Sequence, residues 1–404
     1  MSEKQTYKTA VLMKELMAKY YNDGQDAMTS GKPVVWVTAV SPVELVYAAG
    51  LFPYYPENFG AIASARKLAD KFSLVAESKG YAHDLCGYVR CGIGDAYSDE
   101  HPIGEIIKPD FLLCCNTQCS SLTKWFEVAS RYYKAPYFLM DAPQMNAPES
   151  LIEGYFLDQI KELISELEKI TGKPYDYDKL NEVLHYSSEA CRLWGEILAT
   201  AARKPAPFGF FDACFHMFPI VTMRGTKGCV EYYEALKEEV EAKIANNSYS
   251  LPDEKYKIYF DHIPLWPKMS WFADIFAQHG ALIAVSQYTH SWAWNFDLSR
   301  PLESMAEQYT HEFVNRYFDF RIKLKLDLMR AYDVDGFVLF SNRSCKPNAM
   351  GLYDKSKVLT EITGLPGVVF EGDMSDLRFF SEEQILAKFE PFFEQLKTAK
   401  KKAY

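Results

Sequence analysis

Short apolar runs alternate along the chain with longer segments whose apolar residues recur at helical spacing. The runs that read as strands occupy residues 34–40, 111–115, 135–143, 256–266, 281–288, 336–342 and 367–373. Runs that are apolar on both faces are typical of buried parallel strands, and the helices between them form right-handed crossovers. The chain is therefore predicted to belong to the α/β class.

The predicted strands fall into two groups, which indicates two Rossmann- or flavodoxin-like parallel-sheet domains. A helical segment over residues 149–202 connects the groups, and residues 1–21 form an amphipathic N-terminal helix. The stretch RKPAPFGFFD (203–212) carries two prolines and a glycine, which interrupt helical structure. The predicted domains are residues 1–203, with the N-terminal and connecting helices, and residues 204–404.

Composition and charge restrict the environment in which the chain works. The 404 residues carry a formal net charge of -10, which argues against a broad nucleic-acid or anionic-membrane surface. The sequence contains no apolar stretch long enough for a membrane span and no secretory h-region near its start. A cytoplasmic location is expected, where thiols stay reduced and clustered cysteines serve as ligands or catalysts more often than as disulfides.

Three of the nine cysteines occupy positions where an α/β protein builds its ligand site. Cys119 follows a predicted strand of the first group and Cys345 follows one of the second. Cys86 lies in a glycine-flanked segment before the second strand of the first group. Ligands of parallel sheets bind at the carboxyl ends of strands, so these thiols can meet in a cleft between the domains. Three thiolates suit a soft metal or an iron–sulfur cluster with one open position. Cys114 and Cys115 lie within an apolar run and are predicted to pack in the core.

Several longer motifs resemble one known family. They are YYPENFGA (54–61), AESKGYAHDLCGYVR (76–90), LCCNTQCSSLTKWFE (113–127), SNRSCKP (341–347) and EGDMSDLRFF (371–380). In this order they are similar to the benzoyl-CoA reductase / 2-hydroxyacyl-CoA dehydratase family, over nearly the whole chain. The separation between Cys86 and Cys119 fits the family as well.

The resemblance implies a cofactor and partners. Family subunits have two α/β domains that hold a [4Fe-4S] cluster between them, and Cys86, Cys119 and Cys345 match the family's cluster ligands. The fourth coordination position carries water or hydroxide, which the thioester carbonyl of an acyl-CoA substrate replaces. The implied partners are a homologous second catalytic subunit, forming a heterodimer, and an ATP-hydrolysing iron–sulfur activator that delivers single electrons.

Two radical reactions of anaerobic metabolism follow from the resemblance. The segments WVTAVSPVE (36–44), CNTQCS (115–120) and FPIVTMRGT (218–226) depart from the dehydratase patterns, and KPAPFGFFDACFHM (204–217) is closer to the reductase branch. The first expectation is therefore an oxidoreductase of benzoyl-CoA reductase type, which dearomatises an aromatic acyl-CoA with ATP-coupled electrons. The alternative is an (R)-2-hydroxyacyl-CoA dehydratase, a lyase that acts through a ketyl radical.

Two further readings stay open at this point. One is a larger double-cubane cluster in a reductase of small molecules, for which Cys91, Cys114 and Cys115 are the additional thiols. The other is a subunit that relays electrons and has neither an open iron nor an acyl-CoA pocket. Iron and sulfide content separates the double-cubane reading from a single cluster.

Other side chains are candidates for proton transfer and binding. Glu57, in a family motif, and His290, after a strand of the second group, are the predicted catalytic acids or bases. Arg224 and Lys227, at a predicted helix start, are candidates for CoA phosphate binding. The aromatic residues that are candidates for lining the pocket are Trp36, Tyr54, Tyr55, Trp266, Tyr288 and Trp292.

Overall fold

The computed structural model describes residues 7–145 and 148–399. Its strands are β1 (Val34–Val37), β2 (Phe52–Tyr54), β3 (Phe111–Cys115), β4 (Tyr137–Met140), β5 (Tyr256–Asp261), β6 (Ala281–Ser286), β7 (Gly336–Asn342) and β8 (Gly367–Gly372). Its helices are α1 (Thr9–Ser30), α2 (Val43–Ala48), α3 (Pro56–Ala65), α4 (Ala69–Ser78), α5 (Gly87–Ala96), α6 (Ser120–Tyr133), α7 (Glu149–Thr171), α8 (Tyr177–Ala199), α9 (Phe210–His216), α10 (Phe218–Thr222), α11 (Lys227–Ala245), α12 (Met269–Gln278), α13 (Gln287–His290), α14 (Pro301–Thr310), α15 (Phe318–Ala331), α16 (Lys346–Ala349), α17 (Leu352–Thr363) and α18 (Glu382–Thr398).

The strands form two four-stranded sheets of the same topology. The first has the order β2-β1-β3-β4 and the second the order β6-β5-β7-β8, and every pairing is parallel. Trp36 pairs with Leu112 in the first sheet, and Tyr259 pairs with Phe337 in the second. The predicted α/β fold with two flavodoxin-like sheets is confirmed.

The apolar pattern did not predict β2. This strand has three residues, too few to show a periodicity, and its central residue is Pro53. Proline lacks an N–H group and is tolerated at a sheet edge, where β2 pairs only with β1. The strand matters for function because α3, which carries Glu57, follows it directly.

The predicted helical segments form the helices α1, α7 and α8. The N-terminal prediction covered residues 1–21, of which residues 1–6 lie outside the described part, and α1 extends the helix to Ser30. In α8 the N-cap Asp176 accepts a hydrogen bond from the backbone N–H of Lys179, which supports the first turn. In the part of the chain that the structure describes, no helix combines the length and apolar character needed to cross a bilayer.

Two large apolar cores meet at a cleft. The first joins β1 and β3 to α7 and α8, and the second joins β5 and β7 to α12 and α18. Cys86, Trp266 and Tyr288 are partly buried and contact both cores, so they mark where the two units meet. Helix α11 packs against α1 and α8. The predicted division into residues 1–203 and 204–404 stays a prediction.

Gly94→Ala is expected to destabilise the first unit. A Cβ at Gly94 in α5 would lie 2.0 Å from the carbonyl oxygen of Phe72 in α4, so the two helices would have to separate. Such overpacking costs roughly 1–3 kcal/mol of unfolding free energy. Gly154→Ala in α7 is the control, because its Cβ would meet nothing within 4 Å. Urea unfolding measures both, and an unchanged midpoint for Gly94→Ala would contradict the close contact.

Candidate functional site

In both sheets the strand order reverses at a point next to a predicted cysteine ligand. In the first sheet the chain passes from β1 to β2 on one side and then to β3 on the other, and the second sheet does the same at β5, β6 and β7. A crevice forms outside the carboxyl ends of the strands at such a reversal. Cys119 follows β3 and Cys345 follows β7, so a predicted ligand lies at each crevice.

The three predicted ligands share two features that set them apart. Cys86, Cys119 and Cys345 are the residues that directly precede α5, α6 and α16. They are also partly exposed, whereas the other six cysteines are buried. The N–H groups at the start of a helix carry partial positive charge, which favours a thiolate. The structure therefore presents these three thiols, and not the others, in a form suited to ligation.

The three thiols lie close enough to influence one another's ionisation. Burial raises the pKa of Cys86 well above its ordinary value, and the charges of Cys119 and Cys345 add to the rise. Burial likewise raises the pKa of Cys345 to about 12, with a further contribution from Cys119. Without a metal the three thiols are neutral at pH 7. A bound cation favours the thiolates and reverses this balance.

The three thiols are spaced more widely than the ligands of a single metal ion. A single zinc ion binds sulfur at about 2.3 Å, which holds tetrahedral ligands roughly 3.8 Å apart. Among the described residues, the trio whose ligand atoms all lie within 4.8 Å of one another is Glu149, Glu153 and His311, so the cysteine sulfurs are spaced more widely. An iron–sulfur cluster, whose cysteine ligands bind different irons, accommodates the wider spacing.

Glu57 lies in the first turn of α3, near Cys119. Its Oε2 accepts a hydrogen bond from the N–H of Ala39 at 2.6 Å, and its Oε1 accepts one from Nε2 of Gln118 at 3.5 Å. Burial raises the pKa of Glu57 to about 7, although both hydrogen bonds act against the rise. The charge of Glu57 also raises the pKa of Cys119. A carboxyl group that titrates near pH 7 can donate or accept a proton under cellular conditions.

Aromatic side chains from both units meet in the same cleft. Nε1 of Trp266 donates a hydrogen bond to the Tyr88 hydroxyl, and Tyr88 lies two residues after Cys86. Tyr288 contacts both cores, and the charge of Glu57 raises its pKa further than burial alone. The predicted pocket residues that instead pack in the first core are Trp36, Tyr54, Tyr55 and Trp292.

Two residues of the cleft were missed in the sequence. Tyr88 accepts a hydrogen bond through its hydroxyl at the meeting of the units, and Gln118 holds Glu57. Both lie within two residues of a predicted ligand, at Cys86 and Cys119, and that proximity is the signal by which they could have been found.

His290 makes contacts of its own, which do not join it to the cysteines in the described residues. Its Nδ1 lies 2.8 Å from the carbonyl oxygen of Ser286, and its Nε2 lies 2.8 Å from the Tyr332 hydroxyl. Burial lowers the pKa of His290 to about 4, so the ring is neutral at pH 7. Its Nδ1 therefore donates to the carbonyl oxygen, and its Nε2 accepts from Tyr332. The catalytic role of His290 stays a prediction.

The suggested phosphate-binding role is wrong for Arg224 and stays a prediction for Lys227. Arg224 is fully buried, its Nε donates to Oε1 of Glu44 at 3.0 Å, and its guanidinium lies 4.4 Å from the ring centre of Trp294. Lys227 is exposed and forms an ion pair with Glu231 within α11. Arg224 thus neutralises a buried carboxylate and does not face a phosphate.

Comparison with known proteins places these residues in a family. The model described as 2-hydroxyglutaryl-CoA dehydratase, D-component, matches residues 38–396. The (R)-2-hydroxyisocaproyl-CoA dehydratase alpha subunit of Clostridioides difficile is 34% identical over 99% of this chain and 98% of that protein. The (R)-phenyllactyl-CoA dehydratase alpha subunit of Clostridium sporogenes is 30% identical over 97% of this chain and 98% of that protein.

The match extends to a reductase. One of the subunits of the benzoyl-CoA reductase of Thauera aromatica is 27% identical over 96% of this chain and 94% of that protein. Dehydratase and reductase subunits thus align with this chain along almost their whole length. The chain belongs to the family of 2-hydroxyacyl-CoA dehydratase and benzoyl-CoA reductase subunits and is an enzyme component of that family.

Proposed function

We propose that this chain is the cluster-bearing subunit of an enzyme that transforms an acyl-CoA thioester, with (R)-2-hydroxyacyl-CoA dehydration as its reaction. The observation that supports this most is the meeting of Cys86, Cys119, Cys345 and Glu57 in one cleft between two parallel sheets. The two relatives described above at 30% identity or more are dehydratase alpha subunits. On the basis of their similarity we place dehydration before the reduction that the sequence motifs favoured.

The inferred cofactor is one [4Fe-4S] cluster held by the three partly exposed cysteines. Three protein ligands for four irons leave one coordination position open. When bound, the cluster supplies one-electron transfer and Lewis acidity toward the thioester carbonyl. The additional thiols that a double-cubane cluster would use, Cys91, Cys114 and Cys115, are all completely buried. Their burial in apolar surroundings favours the single cluster.

The protein's own groups supply proton transfer and an enclosed pocket. Loss of the 2-hydroxyl group as water requires a proton, and the neutral form of Glu57 can donate it. Gln118 and the N–H of Ala39 hold the Glu57 carboxyl group on its side of the cleft. Tyr88, hydrogen-bonded to Trp266, and the partly buried Tyr288 restrict the access of water to a reactive radical.

The proposed assembly contains two further proteins. The dehydratase relatives are named as alpha subunits, and the reductase relative is likewise named as one subunit of its enzyme, so they belong to complexes with more than one kind of chain. We infer a homologous second catalytic subunit that forms a heterodimer with this chain. An ATP-hydrolysing iron–sulfur activator is the inferred electron donor, and the cytoplasm is the inferred compartment.

Benzoyl-CoA reduction is the second candidate. It is supported by KPAPFGFFDACFHM (204–217), which resembles the reductase branch, and by the match to the reductase subunit. An electron-relay subunit would hold a cluster without binding a thioester. The hydrogen-bonded aromatic pair Tyr88 and Trp266, near a carboxyl group of pKa about 7, supports a substrate-binding chain in preference to a relay.

Product analysis separates the candidate reactions. The chain would be purified without oxygen together with its partner subunit and activator, and supplied with ATP and a low-potential reductant. Benzoyl-CoA and a panel of (R)-2-hydroxyacyl-CoA thioesters would then be offered, and products followed by mass spectrometry. Loss of one water from a hydroxyacyl thioester is the expected result. A gain of two hydrogens by benzoyl-CoA would establish the reductase, and binding of no thioester would favour the relay.

Glu57→Gln should remove a pH dependence near neutrality. Because Glu57 donates a proton only while it is neutral, the wild-type rate is expected to fall as pH rises through about 7, the pKa of this carboxyl. Loss of the proton donor should lower kcat by roughly 10²–10⁴-fold and leave the residual rate flat across this range. Glu127→Gln, at an exposed position on α6, is the control. A Glu57→Gln profile that keeps the wild-type shape would contradict the assignment.

A further inference from the structure

Three cationic side chains are buried beneath the loop that carries Cys345. Arg321 and Lys325 lie on α15 and Lys355 lies on α17, and all three are buried. Asp261, at the carboxyl end of β5, is the buried carboxylate that the described contacts place among them. The group therefore has more positive than negative charge, and none of these residues has a role in the proposed mechanism.

Among the described residues, the hydrogen bonds give two of the cations no anionic partner. Lys325 forms an ion pair with Asp261, because its Nζ donates a hydrogen bond to Oδ1 of Asp261 at 2.8 Å. Lys355 Nζ donates instead to the carbonyl oxygen of Asn348 at 3.3 Å. Arg321 Nη1 donates to the carbonyl oxygen of Pro347 at 3.1 Å, and its Nη2 donates to Oδ1 of Asn348. Its buried Nε has no hydrogen-bond partner in the part of the chain that the structure describes. Arg321 and Lys355 are thus bound to neutral oxygens.

The neutral oxygens belong to the segment that begins with Cys345. Cys345 precedes α16, and the carbonyl groups of Pro347 and Asn348 lie two and three residues after it. Burial raises the pKa of Cys345, and the charges of Arg321 and Lys355 act against that rise. Burial lowers the pKa of Lys355 to about 7, against the influence of Asp261. The cations and the Cys345 thiol therefore lie within electrostatic reach of one another.

A buried excess of positive charge is unfavourable because the cations lose their hydration, and a nearby anion is needed to compensate for that loss. A cluster ligated by Cys86, Cys119 and Cys345 brings three thiolates to this place and gains one more negative charge on reduction. Interactions between charges are stronger in a buried site than in water. Net charge around an iron–sulfur cluster is one of the factors that set its reduction potential.

We propose that Lys355 and Arg321 are positioning residues that raise the reduction potential of the cluster bound through Cys345. The inference rests on the proposed function, since it requires that cluster. Transfer of one electron from a low-potential reductant adds one negative charge, which the two buried cations stabilise. They act through the Cys345 segment and do not touch the acyl-CoA.

Lys355→Met tests the inference, because it removes the charge and keeps most of the side-chain volume. The full chain would be purified without oxygen and titrated with Ti(III) citrate, with the reduced cluster followed by electron paramagnetic resonance. At a fixed solution potential the ratio of reduced to oxidised cluster should fall at least tenfold, which is 59 mV for a one-electron couple. Lys357→Met is the matched control on the same helix, because Lys357 is 76% exposed and its charge is screened by solvent.

Two more variants separate charge from structure. Lys355→Arg keeps the charge and should keep the wild-type ratio. If Lys355→Met does not fold, Arg321→Met should show the same shift, and an unchanged ratio there would overturn the inference. A Lys355→Met chain that retains its iron and titrates like wild type would overturn the inference alone. A wild-type chain without iron would overturn both this inference and the proposed function.

Discussion

Replacing Arg90 by methionine should lower the free energy of unfolding by about 3–5 kcal/mol, the usual loss when one partner of a buried ion pair is removed. Arg90 and its partners Asp373 and Asp376 are fully buried, and the guanidinium lies 2.7 Å from Asp376 and 3.3 Å from Asp373. Without Arg90, Asp373 would lose its cationic partner and Asp376 would keep only Arg378 among the described residues, in a site that water does not reach. The variant should unfold at a lower urea concentration.

The same ion pairs connect the two units at the candidate site. Arg90 lies in α5, which begins directly after Cys86, and its partners follow β8 in the second unit. A Cβ at Gly87 would lie 2.7 Å from the Oγ of Ser375, so the two segments are in close contact. Arg90→Met should therefore also weaken iron binding, because it loosens the position of Cys86 relative to Cys345.

A surface ion pair is the control for Arg90. Arg192 is 50% exposed and pairs with Glu189 and Glu196 on α8. Because solvent screens such pairs, Arg192→Met should change the free energy of unfolding by less than about 1 kcal/mol. Equal effects of Arg90→Met and Arg192→Met would show that the buried pairs do not hold the two units together.

Acid should reduce the difference between wild type and Arg90→Met. Burial alone would raise the pKa of Asp376, but hydrogen bonds from Arg378 and Arg90 outweigh it and hold this pKa at about 2. A depressed pKa stabilises the fold above the ordinary value of 3.8, and that stabilisation is lost as pH falls toward 2. Urea unfolding of both proteins between pH 5 and pH 3 should show wild type losing stability faster than the variant.

Cys119→Ala should remove most of the bound iron. Replacing even the outer partners of metal ligands lowers metal affinity roughly 10–100-fold, and loss of a ligand itself should exceed that range. Alanine offers no atom to iron, and Cys119 is partly exposed in the cleft, so little apolar burial is lost with its thiol. Iron content after purification without oxygen measures the effect.

Cys191→Ala is the matched control for the ligand variant. Cys191 is a buried cysteine of α8 in the first core, so its replacement tests the loss of a thiol without the loss of a ligand. Its iron content should equal that of wild type. Full iron retention in Cys119→Ala, or equal iron loss in both variants, would contradict the assignment of Cys119 as a ligand.

The sheets could be predicted because their strands are apolar on both faces. The three-residue β2, with Pro53 at its centre, could not be predicted, since its place depends on pairing with β1. Cys119 and Cys345 were predicted as ligands because each follows an apolar run that forms a strand. Cys86 follows no strand, so its glycine-flanked position indicated its role less strongly than the family motif around it.

Contacts between distant segments explain what the sequence did not show. Arg224 stands before a helix start and was a candidate for phosphate binding, but its partner Glu44 lies 180 residues away. The cations near Cys345 belong to separate helices, so no local pattern connects Lys355 to Asp261 or to the cysteine. The raised pKa of Glu57 likewise depends on its burial among distant elements, and the sequence motif around Glu57 does not indicate that burial.

The central claim is that three cysteines in the cleft bind one [4Fe-4S] cluster. Its most direct test is the iron and acid-labile sulfide content of the full chain, purified without oxygen and reconstituted with iron and sulfide. About four irons and four sulfides per chain are expected for a single cluster of this type. A chain that retains no iron after reconstitution, or one that binds about twice as much of each, would contradict the claim.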